Sequence, residues 1–138
     1  LNADGLNLAA VAWADSSPLF AAAAAGHADA ARLLLDATPE LARVPNPAGR
    51  TPLFAAAMSG SLELVELLLR GGKQDLDVAD KWGASPITAA ARAGHVRVVQ
   101  ALLESGARSV GAVEAAEEAH RPECIALVRQ HAAGKALA

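Results

Sequence analysis

Aromatic residues are scarce in this 138-residue chain, which has two Trp, two Phe and no Tyr. A core of that kind cannot be filled with large rings, so it must close by bringing backbones together over small side chains. Cysteine occurs once, at Cys124. That excludes an intrachain disulfide and points to a reducing, intracellular compartment, cytoplasmic or nuclear. The thiol itself reads as a small buried hydrophobe in the last helix. No apolar run reaches the ~20 residues that a membrane span requires, so membrane insertion is not expected. Neither sign of charge dominates, the formal net charge being −3, and nothing in that balance calls for nucleic acid or an anionic membrane. The opening Leu1-Asn2-Ala3-Asp4 has neither a basic stretch nor a starting Met. It does not read as a signal peptide, and a piece trimmed from something longer is one reading of it.

What is plentiful is alanine, and with it internal repetition. Ser17-Pro18-Leu19-Phe20 returns as Thr51-Pro52-Leu53-Phe54 and as Ser85-Pro86-Ile87-Thr88, at steps of 34 residues (17 to 51 to 85). The same offset carries Gly26-His27 to Gly60-Ser61 and Gly94-His95, and Leu33-Leu34-Leu35 to Leu67-Leu68-Leu69 and Ala101-Leu102-Leu103. Each landmark has a mechanical meaning. A Ser or Thr hydroxyl before proline caps a helix N-terminus, and the proline lacks the N–H that would otherwise be orphaned there. The glycine ends that helix in a left-handed residue. Between them lies about two turns of Ala-rich helix, the best helix former there is. A second helix follows, with Leu62, Val65, Leu68 and Leu69 at helical spacing in the middle unit. Helices this short are marginal alone in water, so their order must come from stacking. Asn46-Pro47-Ala48-Gly49 and Asp80-Lys81-Trp82-Gly83 join the pairs; both set an Asx residue three before a glycine, as a tight turn requires.

This pattern, [ST]-P-L-x-x-A-A-x-x-G-[HS] before an apolar helix, resembles the ankyrin repeat over roughly residues 12–131. The resemblance implies an all-α solenoid of stacked helix-turn-helix units with β-hairpin or turn connections. It gives an N-terminal extension or partial repeat at 1–16, a repeat domain at 17–131 and a C-terminal tail at 132–138. The units fall at about 12–45, 46–79, 80–108 and 109–131, three clear ones and a degenerate C-terminal cap. The period exceeds the family's usual ~33 by one, and the extra residue is assigned to the loop around Gly71-Gly72. The family's His after Thr-Pro-Leu, which ties neighbouring turns, is replaced by Phe20, Phe54 and Thr88, with packing expected to serve instead. In the shortened last unit Ala119 is aligned with Gly94, and Pro122 is expected to open the final helix.

Catalysis would need a nucleophile, a base and a stabiliser gathered in a cleft, and no such set stands out. His27 and His95 share one repeat position and read as structural. His120, Cys124 and His131 are too few and too irregularly spaced for a soft metal site. Glu114, Glu117 and Glu118 read as a solvated helix face, and Gly71-Gly72-Lys73 lacks the context of a phosphate loop. No enzyme activity, cofactor or metal is expected.

Function is therefore sought on the surface. In the family, contacts come from hairpin tips and the exposed face of each first helix, lining a concave groove. Carried over position by position, the resemblance marks Trp13 and Ser16, then Pro47, Arg50, Met58 and Ser59, then Lys81, Trp82 and Arg92, and finally Glu117 and Glu118. Both tryptophans fall at variable turn positions, and Trp and Arg are enriched among interface hot spots. Trp82 reads as an exposed anchor or, alternatively, as packed against a neighbouring hairpin. Residues 81–108 set Lys81, Arg92, Arg97 and Arg108 against Glu104 alone, with Glu114, Glu117 and Glu118 following. The groove is thus expected to grade from basic to acidic. The implied function is a monomeric protein- or peptide-binding module. The alternatives are the regulatory portion of a larger multidomain protein, or a nucleic-acid or nucleotide binder stacking bases on Trp13 and Trp82, which the lack of a basic stripe disfavours.

Overall fold

The computed structural model describes residues 18–70, 76–109 and 111–137. They form eight α-helices: α1 Pro18–Ala25, α2 Ala28–Ala37, α3 Pro52–Ser59, α4 Leu62–Arg70, α5 Pro86–Ala93, α6 Val96–Glu104, α7 Ala112–Glu118 and α8 Pro122–Leu137. A 3₁₀ turn, Pro39–Arg43, follows α2. Among the described residues there is no strand, and the connections are turns.

The helices stack in two rows. The inner row is α1, α3, α5 and α7, each packed on the next; the outer row is α2, α4, α6 and α8, packed the same way. Within each pair, inner and outer helices also touch, so every unit leans mainly on its neighbours. Small side chains make the inner row possible. Ala22, Ala23, Ala55, Ala56, Ala57, Ala90, Ala91, Ala115 and Ala116 are all buried between helices. Leu19, Leu53 and Ile87 of the inner row join Leu64, Val65, Leu68, Val98, Val99 and Leu102 of the outer row in one continuous core.

The caps act as their residue types dictate. Thr51 Oγ1 accepts from Phe54 N at 3.3 Å and Ser85 Oγ from Thr88 N at 3.5 Å. Gly60 and Gly94 close α3 and α5 in the left-handed region, with φ of 79° and 82°. The next amide then reaches back into the helix, Ser61 N to Ala56 O and His95 N to Ala90 O. Ser17, the apolar run Leu6–Val11 and the Gly71-Gly72 loop lie outside the described residues.

The last unit departs from its sequence alignment. Arg121 N donates to Ala116 O, as His95 N does to Ala90 O. His120, one residue beyond Ala119, therefore takes the place of Gly94, and its φ of 58° is left-handed without the freedom of glycine. Pro122 accords with this, because the residue before a proline is kept out of the helical region, as His27 and His95 are in the earlier units. Pro122 opens α8 as the spacing predicts. That helix runs on to Leu137 rather than giving way to a tail after 131; Ala132, Ala133, Lys135 and Ala136 favour helix, and the helix continues through Gly134.

Candidate partner-binding surface

The two described hairpin turns share one design. Asn46 Oδ1 accepts from Ala48 N at 3.0 Å and Arg50 N at 2.9 Å. Asp80 Oδ1 accepts from Trp82 N at 3.0 Å and Ala84 N at 2.9 Å. Each turn is closed by a left-handed glycine, Gly49 or Gly83. The tips are tied side by side, Lys81 N donating to Ala48 O at 2.8 Å. A Cβ on Gly49 would sit 3.3 Å from Asp80 Cα, so the absence of a side chain there is what allows this approach.

Asp80 has a second oxygen, and Arg50 of the preceding turn uses it: Nε donates to Oδ2 at 3.0 Å. The Asp80 side chain is fully buried. That burial pushes its carboxyl pKa up, but the Ala84 amide, the Arg50 guanidinium and the Trp82 amide outweigh it and hold the group below its ordinary value. The guanidinium also lies 4.8 Å from the centre of the Phe54 ring and 5.2 Å from that of Trp82, and Lys81 Nζ stands 4.7 Å from the same indole. Trp82 is nonetheless 67% exposed. It is thus exposed and at the same time in contact with Arg50 of the neighbouring hairpin. The tie between turns that the missing imidazole would make is supplied by Arg50, with Phe54 buried beneath it.

At the far ends of the inner helices, Met58 is 42% exposed. Ser59 is exposed, but its Oγ is bonded to Ala56 O at 2.9 Å and to Ala23 O at 3.3 Å, a link to the preceding unit. Arg92 pairs with Glu118 at 3.5 Å, and Glu117 with Arg129 at 2.7 Å. The expected basic-to-acidic gradient is blunted at one point, where Arg92 of its basic part pairs with Glu118 of its acidic part. Arg97 lies on outer helix α6, and Arg108 faces Asp77. Pro47 is exposed at the first described tip. Trp13 and Ser16 lie outside the described residues.

The chain as a whole can now be compared with known proteins. The family model "Ankyrin repeats (3 copies)" matches residues 4–77, 19–112 and 58–135. This chain belongs to the ankyrin-repeat family. A comparison with curated proteins finds no match. Ankyrin repeats are generally protein–protein interaction modules, typically without catalytic activity.

In this ankyrin stack the remaining chemistry-bearing residues are apart or occupied. Cys124 is fully buried, and burial raises its thiol pKa, the opposite of what a thiolate ligand or nucleophile needs. His120 and Cys124 border one depression of about 220 Å³, while His131 lines another with Gln100 and Leu127. Among the described residues no group of three or more His, Cys, Asp or Glu could hold a metal ion, and no helix is long and apolar enough to cross a membrane.

Sequence reasoning missed two interlocks. His95 sits over Gly60, where a Cβ would meet its ring at 2.4 Å, and its Nε2 is 3.2 Å from Met58 O. Arg121 does the same one unit on: its side chain crosses Gly94 and its Nε donates to Arg92 O at 3.2 Å. For His95 the signal was its recurring position after the reversal glycine, read as structural without naming its neighbour; Arg121 follows His120, and no glycine marks its place.

Proposed function

We propose that this ankyrin stack binds a protein or peptide through its hairpin tips and the exposed ends of its inner helices, with Trp82 as the anchor. The observation that carries the reading is the exposed indole, two-thirds open to solvent at a turn tip yet held by Arg50 and Lys81. An indole that stays this exposed is costly to leave in water, and its position adds nothing to the core. A ring already held in place loses little conformational freedom when a partner arrives, which favours affinity. The reading assigns Pro47, Arg50, Met58, Ser59, Lys81, Arg92, Glu117 and Glu118 to the contact, together with Trp13 and Ser16, which lie outside the described residues. The reading takes the chain to work as a monomer inside the cell, where its lone thiol stays reduced.

The test is affinity capture from a cell extract with the wild-type chain beside Trp82→Ala. Truncation is expected to weaken capture by roughly 2 kcal/mol or more while leaving the thermal unfolding midpoint in place. Equal capture by both chains would remove Trp82, and with it the anchor, from the proposal.

A further inference from the structure

We infer that the Trp82 ledge recognises an acidic segment of a protein partner, a carboxylate-bearing stretch rather than a purely apolar one. The inference rests on the proposed function and concerns the same face. Its basis is how charge is distributed through the turn. Asp80 provides the negative charge, but its carboxylate is fully buried and faces inward, taking up the Trp82 and Ala84 amides and Arg50 Nε. The cations face outward. Lys81 is exposed and, among the described residues, has no carboxylate within ion-pair distance. Arg50 is partly open to solvent, its side chain being 31% exposed, and its Nε is the atom bonded to Asp80. Trp82 lies against both.

Lys, Arg and Trp side chains can only donate hydrogen bonds. The exposed ledge is therefore a set of donors whose neighbouring carboxylate, Asp80, is buried and already engaged, and a further carboxylate is the complementary group. Both cations already lie over the indole, which leaves the ring edge, the electropositive part of its quadrupole, for the approaching anion. A nucleic acid is the poorer fit. Following a phosphate backbone takes a continuous basic track, and along the stack the next cation, Arg92, is neutralised by Glu118. Met58, exposed at the other end of α3, offers an apolar foothold about 10 Å along the helix, at ~1.5 Å per residue. That fits a segment mixing acidic and aliphatic residues.

The chain has two tryptophans, so its indole N–H groups give two NMR signals, assigned with Trp82→Phe. Three probes are titrated: a peptide of alternating Glu and Leu, the same peptide with Gln for Glu, and a poly-U oligonucleotide. The Glu peptide is expected to move the Trp82 signal and to bind at least about tenfold more tightly than the Gln peptide. That preference should shrink as salt rises, because exposed charges are screened. Lys81→Met should lose about tenfold of it and Lys81→Arg should keep it, both with unchanged thermal midpoints. Equal binding of the Glu and Gln peptides, or no binding of either, overturns the acidic partner while Trp82-dependent capture from extract still supports the proposed function. Tighter binding of poly-U than of the Glu peptide overturns both.

Discussion

The turn at Asn46 and the turn at Asp80 are nearly superimposable in chemistry, yet they do different jobs. Each uses one side-chain oxygen to hold two amides of its own loop. Asn46 then has an amide nitrogen where Asp80 has a second, charged oxygen. That one atom lets Asp80 reach back to Arg50 in the previous unit, and through Arg50 to the rings of Phe54 and Trp82. A local cap becomes a link between units. The lesson is that a repeat can keep its backbone geometry while one position changes from serving its own loop to serving its neighbour and the surface.

This contrast makes measurable claims. The largest effect is expected for Asp80→Ala, which strands two amides and the partner guanidinium and should cost about 3 kcal/mol. Asn46→Ala, which strands amides alone, should cost about 1 kcal/mol. Urea unfolding of both variants decides the matter, and equal losses would mean the Arg50 link adds nothing.

Next come the reversal glycines. Gly60→Ala and Gly26→Ala both force a left-handed alanine, at about 1–2 kcal/mol. Only Gly60 has a ring in the way, since nothing lies within 4 Å of a Cβ at Gly26. Gly60→Ala should therefore lose about 1 kcal/mol more, the usual range for overpacking. A matching loss at both sites would show that His95 moves aside freely.

Smaller again is the acid response. The folded-state pKa of Asp80 lies below its ordinary value of 3.8. Its contribution is therefore complete above that value and drains away as pH falls through the lower folded pKa. Asp80→Asn keeps an acceptor for the turn amides but has no such titration. Its stability, measured from pH 6 downward, should fall less steeply than that of the wild type, and parallel curves would discount the charge. Least of all is Arg92→Ala. The Arg92–Glu118 pair is well exposed, and its loss should change stability by no more than about 0.5 kcal/mol.

Much of the frame could be read directly from residues. Ser or Thr before Pro, and glycine eight or nine positions later, mark helix starts and stops because hydroxyl caps, a missing N–H and a missing Cβ are local properties. The Asx turns were legible for the same reason. The end of the last inner helix was not. Without a glycine to mark it, Ala119 looked like the match, and only the backbone revealed His120 in the left-handed position. The pairing that blunts the groove's charge gradient was illegible for a different reason. Arg92 and Glu118 are 26 residues apart in sequence, so counting charges along the chain could not show that they pair.

The order of elements, the period of the stack and the turn chemistry of this ankyrin protein were determined by its sequence alone, because each depends on interactions within a few residues. Tertiary structure alone decided which side chains meet between units: Arg50 with Asp80 and Trp82, His95 with Gly60, Arg121 with Gly94. Those meetings depend on how closely one Ala-lined helix pair settles on the next, a distance that no stretch of chain encodes by itself.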